Sequence, residues 1–224
     1  MCFSAESSIT SAVLLGGITI MCANLAKSKK QQYPLVVVPL VFMLMQLVEA
    51  VTWIASTTSY APKVFSFAAY FFFIISYVYW PLIAAIICFM LEERPKQKKV
   101  IGGIFLLGLF SAAMTLYLSL YAPAPTGRIV QHSIQYTYSV YDPYPFIVQI
   151  KGFFLLFLIG VPIAISRIPY KWLNIVFFTV SFTVAISFYD YAFVSVWCFF
   201  STIVAVSVMA SLKELNNPAF QVSP

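Results

Sequence analysis

Seven long apolar stretches dominate this sequence: Ala5–Ala26, Tyr33–Ser56, Val64–Leu91, Val100–Tyr121, Phe146–Ile165, Leu173–Tyr189 and Ala192–Leu212. A helix needs roughly 20 mostly apolar residues to cross the hydrocarbon core of a bilayer, and each stretch meets or approaches that length. The chain is 62% hydrophobic and 9% charged over 224 residues, with a mean hydropathy of +0.92. A soluble domain carries about 25% charged residues, so this much apolar surface cannot be hidden in a water-soluble globule of this size. A soluble enzyme, a disordered chain and a coiled coil are excluded. The expected fold is all-α: a polytopic membrane bundle of seven transmembrane helices in a single domain over residues 1–215, followed by a loose polar tail over 216–224. Strands of an outer-membrane barrel would be about 10 residues long and alternate strictly, which these stretches do not.

Basic residues orient the spans, because short Lys- and Arg-rich loops stay in the cytoplasm. Lys27, Lys29 and Lys30 follow the first span, Arg94, Lys96, Lys98 and Lys99 the third, Arg167 and Lys171 the fifth, and Lys213 the seventh. Ten of the 13 basic residues thus fall on one side. This predicts an N-terminus outside and a C-terminus in the cytoplasm, and it makes the net charge of +6 a topological signal rather than a nucleic-acid footprint. The first span is expected to insert without a cleaved leader, since no basic region precedes it. Tyr33, Tyr170 and Trp172 suit the inner interface, and Tyr60, Tyr121, Tyr144, Tyr189 and Tyr191 the outer one.

One connection is long. Residues Ala122–Pro145 join the fourth and fifth spans on the outer side, opened by Pro123 and Pro125 and closed by Pro143 and Pro145. Within it Ile134, Tyr136, Tyr138 and Val140 alternate with Gln135, Thr137, Ser139 and Tyr141. A period of two predicts a strand or hairpin, and a long loop with its own structure is expected either to cover a site or to decorate the surface.

Ionisable side chains inside a span cost about 2.5–3.5 kcal/mol near the bilayer centre, so they face other helices and mark candidate sites. In the second span Gln46, Glu49 and Trp53 share one face at i, i+3 and i+7, and Glu49 lies roughly 12 Å below the outer end at 1.5 Å per residue. Lys151 in the fifth span and Cys198 in the seventh lie at similar depth. Cys2, Glu6, His132 and Asp190 belong to the same side. The outer half therefore collects Cys2, Glu6, Gln46, Glu49, His132, Lys151, Asp190 and Cys198, and no ionised side chain is placed in the inner half. The structural alternative is that Glu49 and Lys151 neutralise each other, or that Lys151 snorkels to the surface, while Gln46 hydrogen-bonds between helices.

The cysteines pair by depth. Cys22 and Cys88, near the inner ends of the first and third spans, read as small apolar packing residues. Cys2 and Cys198 face the oxidising side, where a disulfide, thiolate ligation of a metal with His132 or Glu49, and a redox pair all remain open. A single histidine excludes bis-histidine haem and a three-histidine zinc site. In the third span Trp80-Pro81 predicts a kink, because proline removes a helical hydrogen bond. Pro39 and Pro162 are expected to bend their own helices. Tyr70, Tyr77 and Trp80, at i, i+7 and i+10, are expected to share one face, either as the wall of a pocket beneath the outer polar cluster or as packing.

The opening Met1-Cys2-Phe3-Ser4-Ala5, the stretch Gln46-Leu47-Val48-Glu49 with Trp53, the pair Trp80-Pro81, His132, and Ser195-Val196-Trp197-Cys198-Phe199-Phe200 together resemble an uncharacterised family of small bacterial seven-helix membrane proteins that open MCFSA or MCFSP and end near SVWCFFAA. The likeness spans nearly the whole chain. It departs in the second span, where the family shows a Gln-Gln pair and Glu-Gly and this chain reads Met45-Gln46 and Glu49-Ala50. The resemblance implies a bacterial inner-membrane location and no assigned activity, and its motif positions include Cys2, Gln46, Glu49, Trp53, Trp80, His132, Trp197 and Cys198. A rhodopsin-like role is disfavoured, since the last span has no lysine for retinal before Lys213. A ceramidase-like hydrolase would need several histidines.

The leading expectation is an outward-facing site in the bundle, with Cys2, Glu49, His132 and Cys198 as ligands of a transition metal such as zinc, copper or iron, and with Gln46, Trp53, Trp80, Lys151, Asp190 and Trp197 around a small ligand. The same groups suit thiol redox or acid–base chemistry. A small-solute transporter or channel, and a structural or sensory subunit with a Cys2–Cys198 disulfide, are the alternatives. The expected partner is the lipid bilayer; no nucleic acid is expected.

Overall fold

The computed structural model describes residues 4–27, 29–138, 145–188 and 192–217; within these, the side chains of 145–151, 193, 194, 198 and 199 lie outside the description. The helices are α1 (Ala5–Ala26), α2 (Tyr33–Ala55), α3 (Ala61–Ile74), α4 (Trp80–Leu91), α5 (Pro95–Ser119), α6 (Pro145–Ile165), α7 (Lys171–Phe188) and α8 (Phe193–Leu215). A π-helical turn, Ile75–Tyr79, joins α3 and α4 into one continuous rod over Ala61–Leu91. Seven rods therefore stand where seven spans are expected. Among the described residues six rods are long and apolar enough to cross a membrane, and the seventh, α6, is apolar over Gly152–Ile165, the part whose side chains are described.

The apolar surplus faces outward as well as inward. Val13 of α1, Leu106 and Phe110 of α5, and Val180 of α7 are 69%, 64%, 65% and 55% exposed, which suits hydrocarbon and would be costly in water. The most buried of the six rods are α2 and α8. Helix α1 packs extensively on α2 and also meets α8, and apart from Leu15 its buried residues are small: Ser8, Ser11, Ala12, Cys22 and Ala26. Small residues let two membrane helices approach closely. Ser4 caps α1, its hydroxyl accepting from the Ser7 N–H at 3.3 Å.

The Trp80-Pro81 kink takes a specific form. Proline 81 has no N–H to give to the carbonyl four residues earlier. The chain widens just before it, and the Trp80 N–H donates to the carbonyl of Ile75, five residues back. This wide turn shifts the helical register, so the expected Tyr70–Tyr77–Trp80 face does not exist: Tyr70 is 44% exposed, whereas Trp80 is 6% exposed. Helix α5 accommodates the kink at Gly108, where an added Cβ would lie 3.3 Å from the Pro81 carbonyl oxygen. It also starts earlier than the apolar pattern suggests, because Pro95 occupies its first turn, where proline suits a helix start.

The long connection contains an antiparallel hairpin, β1 (Thr126–Val130) and β2 (Ser133–Thr137), in register from Thr126 opposite Thr137 to Val130 opposite Ser133. The alternation holds: Ile134, Tyr136 and Tyr138 are buried and Gln135 and Thr137 are less so, while Ser139, Val140 and Tyr141 lie outside the described residues. Gln131 and His132 form the two-residue turn, both at positive φ (46° and 61°), the geometry that matches the twist of the flanking strands. Strand β1 packs on α3 and β2 on α8.

Candidate functional site

The two ends of the bundle differ in chemistry. At the hairpin end, α2 delivers Gln46, Glu49 and Thr52, each 0% exposed. The carboxylate of Glu49 accepts a hydrogen bond from the hydroxyl of Ser195, also fully buried, in the first turn of α8. Gln46, one turn from Glu49 on the same face, is different. Neither its amide nitrogen nor its amide oxygen has a hydrogen-bond partner among the described residues. A buried amide with both ends unsatisfied costs about 1–3 kcal/mol per group, so this residue is ill suited to be mere packing. Nearby on the same helix Trp53 is half-buried, and its indole nitrogen likewise has no described partner. Thr52 is satisfied internally, its hydroxyl donating to the Val48 carbonyl at 2.7 Å.

Of the other expected site residues, Trp80 packs against Phe42 in a tilted ring pair with centroids 4.5 Å apart, and its indole nitrogen is buried without a described partner. Trp197 is buried by α7: its indole N–H donates to the Ser181 hydroxyl at 3.2 Å, and it meets the rings of Phe178 and Phe182 at 5.3 and 5.9 Å. It reads as the packing joint between α7 and α8. His132 stands at the exposed tip of the hairpin turn, whereas Glu49 is fully enclosed. Cys2 and Asp190 lie outside the described residues, and so do the side chains of Lys151 and Cys198, although both belong to described helices, α6 and α8. Among the described residues no three His, Cys, Asp or Glu side chains gather as a metal would require.

The hairpin is anchored at this same end. Phe72 and Phe73 of α3 receive Tyr136 and Tyr138 at centroid distances of 4.8 and 5.4 Å. The Ser66 hydroxyl donates to the Pro125 carbonyl at 3.2 Å. Gly127 makes the close approach possible, since an added Cβ would fall 2.9 Å from Phe65 Cδ1 and 3.3 Å from Tyr136 Cδ1.

The basic end is more polar than the sequence suggests. Glu92, just past α4, is buried, and Arg94 clasps it with Nε at 2.8 Å and Nη2 at 2.9 Å while Nη2 also donates to the Ile165 carbonyl at 2.7 Å. This clamp joins α4 to the end of α6. The hydrogen-bonded guanidinium holds the Glu92 carboxyl below the usual carboxylate range, against the opposing pull of burial. Asn174 of α7 donates to Ser211 at 3.1 Å and accepts from Ser207, fastening α7 to α8. Asn216, assigned to the loose tail by its polarity, is instead docked: its amide nitrogen lies 3.0 Å from the Leu25 carbonyl and 3.2 Å from Gln32 Oε1. Residues 218–224 lie outside the description.

Between the two ends sits a cavity of about 90 Å³. Its walls include Leu35 and Phe42 of α2, Trp80 and Ile87 of α4, Ile159 of α6 and Trp197 of α8, with Asn174 and Ser211 as the polar part of the lining.

Sequence reasoning missed Ser195, Glu92 and Asn174. Ser195 belongs to the Ser-Val-Trp-Cys motif and lies one turn before Cys198, and that spacing was the available signal. Ser207 and Ser211, four apart on α8, were a similar sign of a polar helix contact. Glu92 carried only the proximity of Arg94, two residues on.

No curated protein and no solved structure matches this chain. Residues 1–222 match the family described as a family of unknown function, DUF6629, and the chain belongs to that family.

Proposed function

We propose that this protein is a multi-pass membrane protein, with its hairpin end facing away from the cytoplasm, that binds a small cationic ligand at Gln46 and Glu49. The observation that carries this reading is the Gln46 amide, fully buried and without a described hydrogen-bond partner, one helical turn from the Glu49 carboxylate. A carboxylate and an amide oxygen on one helix face recognise positive charge, and the surrounding low dielectric strengthens that recognition. A transition metal ion is the first ligand to test, with the Cys2 and Cys198 thiolates and the His132 imidazole as the further donors expected from sequence. The exposed position of His132 makes it the least supported of these donors. The orientation rests on the basic residues gathered at the opposite end. The nearly apolar cavity below the site disfavours passage of a charged solute and so favours binding over transport.

Elemental analysis of purified protein tests the metal form. Near-stoichiometric zinc, copper or iron in the wild type, lost in Glu49→Gln and Gln46→Leu, is the expected result. Metal-free, folded wild-type protein that also takes up none of these ions on titration would overturn it.

A further inference from the structure

The intrabundle cavity points to a second site, independent of the polar one. We infer that it seats the end of a hydrocarbon chain from a bilayer lipid. Its lining is aliphatic or aromatic apart from Cys88, Asn174 and Ser211. The two polar groups are already engaged: the Asn174 amide nitrogen donates to Ser211 and to the Tyr170 carbonyl, its oxygen accepts from Ser207, and the Ser211 hydroxyl reaches the Pro169 carbonyl at 2.8 Å. The Trp197 N–H is spent on Ser181. A trapped water needs two to four polar partners; among the described lining groups the Trp80 indole N–H is the one without a described partner, and a single donor is too few to hold a water, so the cavity selects for an apolar occupant. At about 90 Å³ it is smaller than the roughly 150 Å³ cavity that admits benzene, which suits a slim chain end better than a ring. Ile83, Ile163 and Phe178, on α4, α6 and α7, line the cavity yet are only half-buried. They are the margin through which a chain enters from the side. The bilayer is the adjoining reservoir of hydrocarbon, and the lining belongs almost wholly to membrane-length rods.

Two of the four tryptophans report on the cavity directly, because Trp80 and Trp197 form its wall. The variant Trp53→Phe/Trp172→Phe retains only that pair. It is reconstituted into phosphatidylcholine bilayers with or without bromine atoms on the acyl chains, and tryptophan fluorescence is compared. The expected result is at least twofold quenching by the brominated lipid, reduced severalfold when Val208→Phe fills the cavity. Ala84→Val is the milder filling variant should Val208→Phe fail to fold, as judged by its melting transition. Absence of quenching in the parent overturns the inference. Quenching that survives in a folded cavity-filled variant also overturns it, because the lipid is then acting from outside the bundle. Neither result bears on metal or cation binding at Glu49.

Discussion

The hydroxyl of Ser195 donates to the carboxylate of Glu49, and through that bond between two fully buried side chains α8 is tied to α2. Removing the donor leaves a buried acceptor short of a partner, at a cost of about 1–3 kcal/mol. Ser195→Ala is therefore expected to lower the melting temperature of the detergent-solubilised protein clearly. Glu49→Gln keeps an oxygen for Ser195 and is expected to cost less in stability while abolishing cation binding. Thermal melts of the two single variants and the double variant would measure the coupling between them; a coupling near zero would show that the contact does not join the helices energetically.

Much of this arrangement was legible before the structure, and the reasons are physical. Length and apolarity alone place seven rods, because the bilayer demands an uninterrupted run of about 20 residues and nothing else in a chain of this size supplies one. The hairpin is legible because its buried face is aromatic and aliphatic with a period of two. Gln46 and Glu49 stand out because they are costly where they are. The π turn left no such trace: it is set by the missing N–H of Pro81 acting on residues before it, and periodicity across Ile75–Tyr79 reads as ordinary helix. The clamp of Glu92 by Arg94 was hidden among loop charges, since neither residue carries a sign that one is buried by its tertiary neighbours. His132 is legible in another way: its chemistry suggests a ligand role, and the turn geometry accounts for its place at an exposed tip without one.

That clamp makes stability depend on pH in a defined direction. The Glu92 carboxyl is held below its ordinary value chiefly by hydrogen bonds from Arg94. A carboxylate depressed in the folded state contributes stability that is fully present above its unfolded value, about 4.3, and is lost as pH falls through the folded value beneath it. At pH 7 Glu92→Gln is expected to melt below the wild type. The gap should narrow steadily below about pH 4, as the wild-type side chain becomes neutral too. Arg94→Lys should recover only part of the Arg94→Ala loss, because an ammonium cannot reproduce the paired contact. A gap independent of pH would assign the effect to packing instead.

Hairpin docking depends on the absence of a side chain at Gly127. A Cβ there would lie 2.9 Å from Phe65 Cδ1, so the phenyl ring or the strand must move. Gly127→Val is expected to cost about 1–3 kcal/mol, the usual range for overpacking, and to loosen the strand from α3. Limited proteolysis between residues 122 and 137 should be faster in the variant, with the melting of the helical bundle little altered. Equal cleavage rates would mean that Tyr136 and Tyr138 hold the hairpin without help from this contact.

The turn at its tip carries a separate expectation, which also bears on ligand binding. Gln131 and His132 both adopt left-handed backbone angles, where an ordinary side chain costs roughly 1–2 kcal/mol relative to the right-handed region. Asn-Gly is the favoured pair for such a two-residue turn. Gln131→Asn/His132→Gly is therefore expected to stabilise the hairpin by about 1 kcal/mol, seen as slower amide exchange of the β1 and β2 backbones. If His132 is a metal ligand, the same variant loses metal while its hairpin becomes firmer. If the bound cation depends only on groups inside the bundle, metal content is unchanged and the hairpin is firmer all the same. Exchange rates that do not slow would show that the native Gln131-His132 turn carries no strain to relieve.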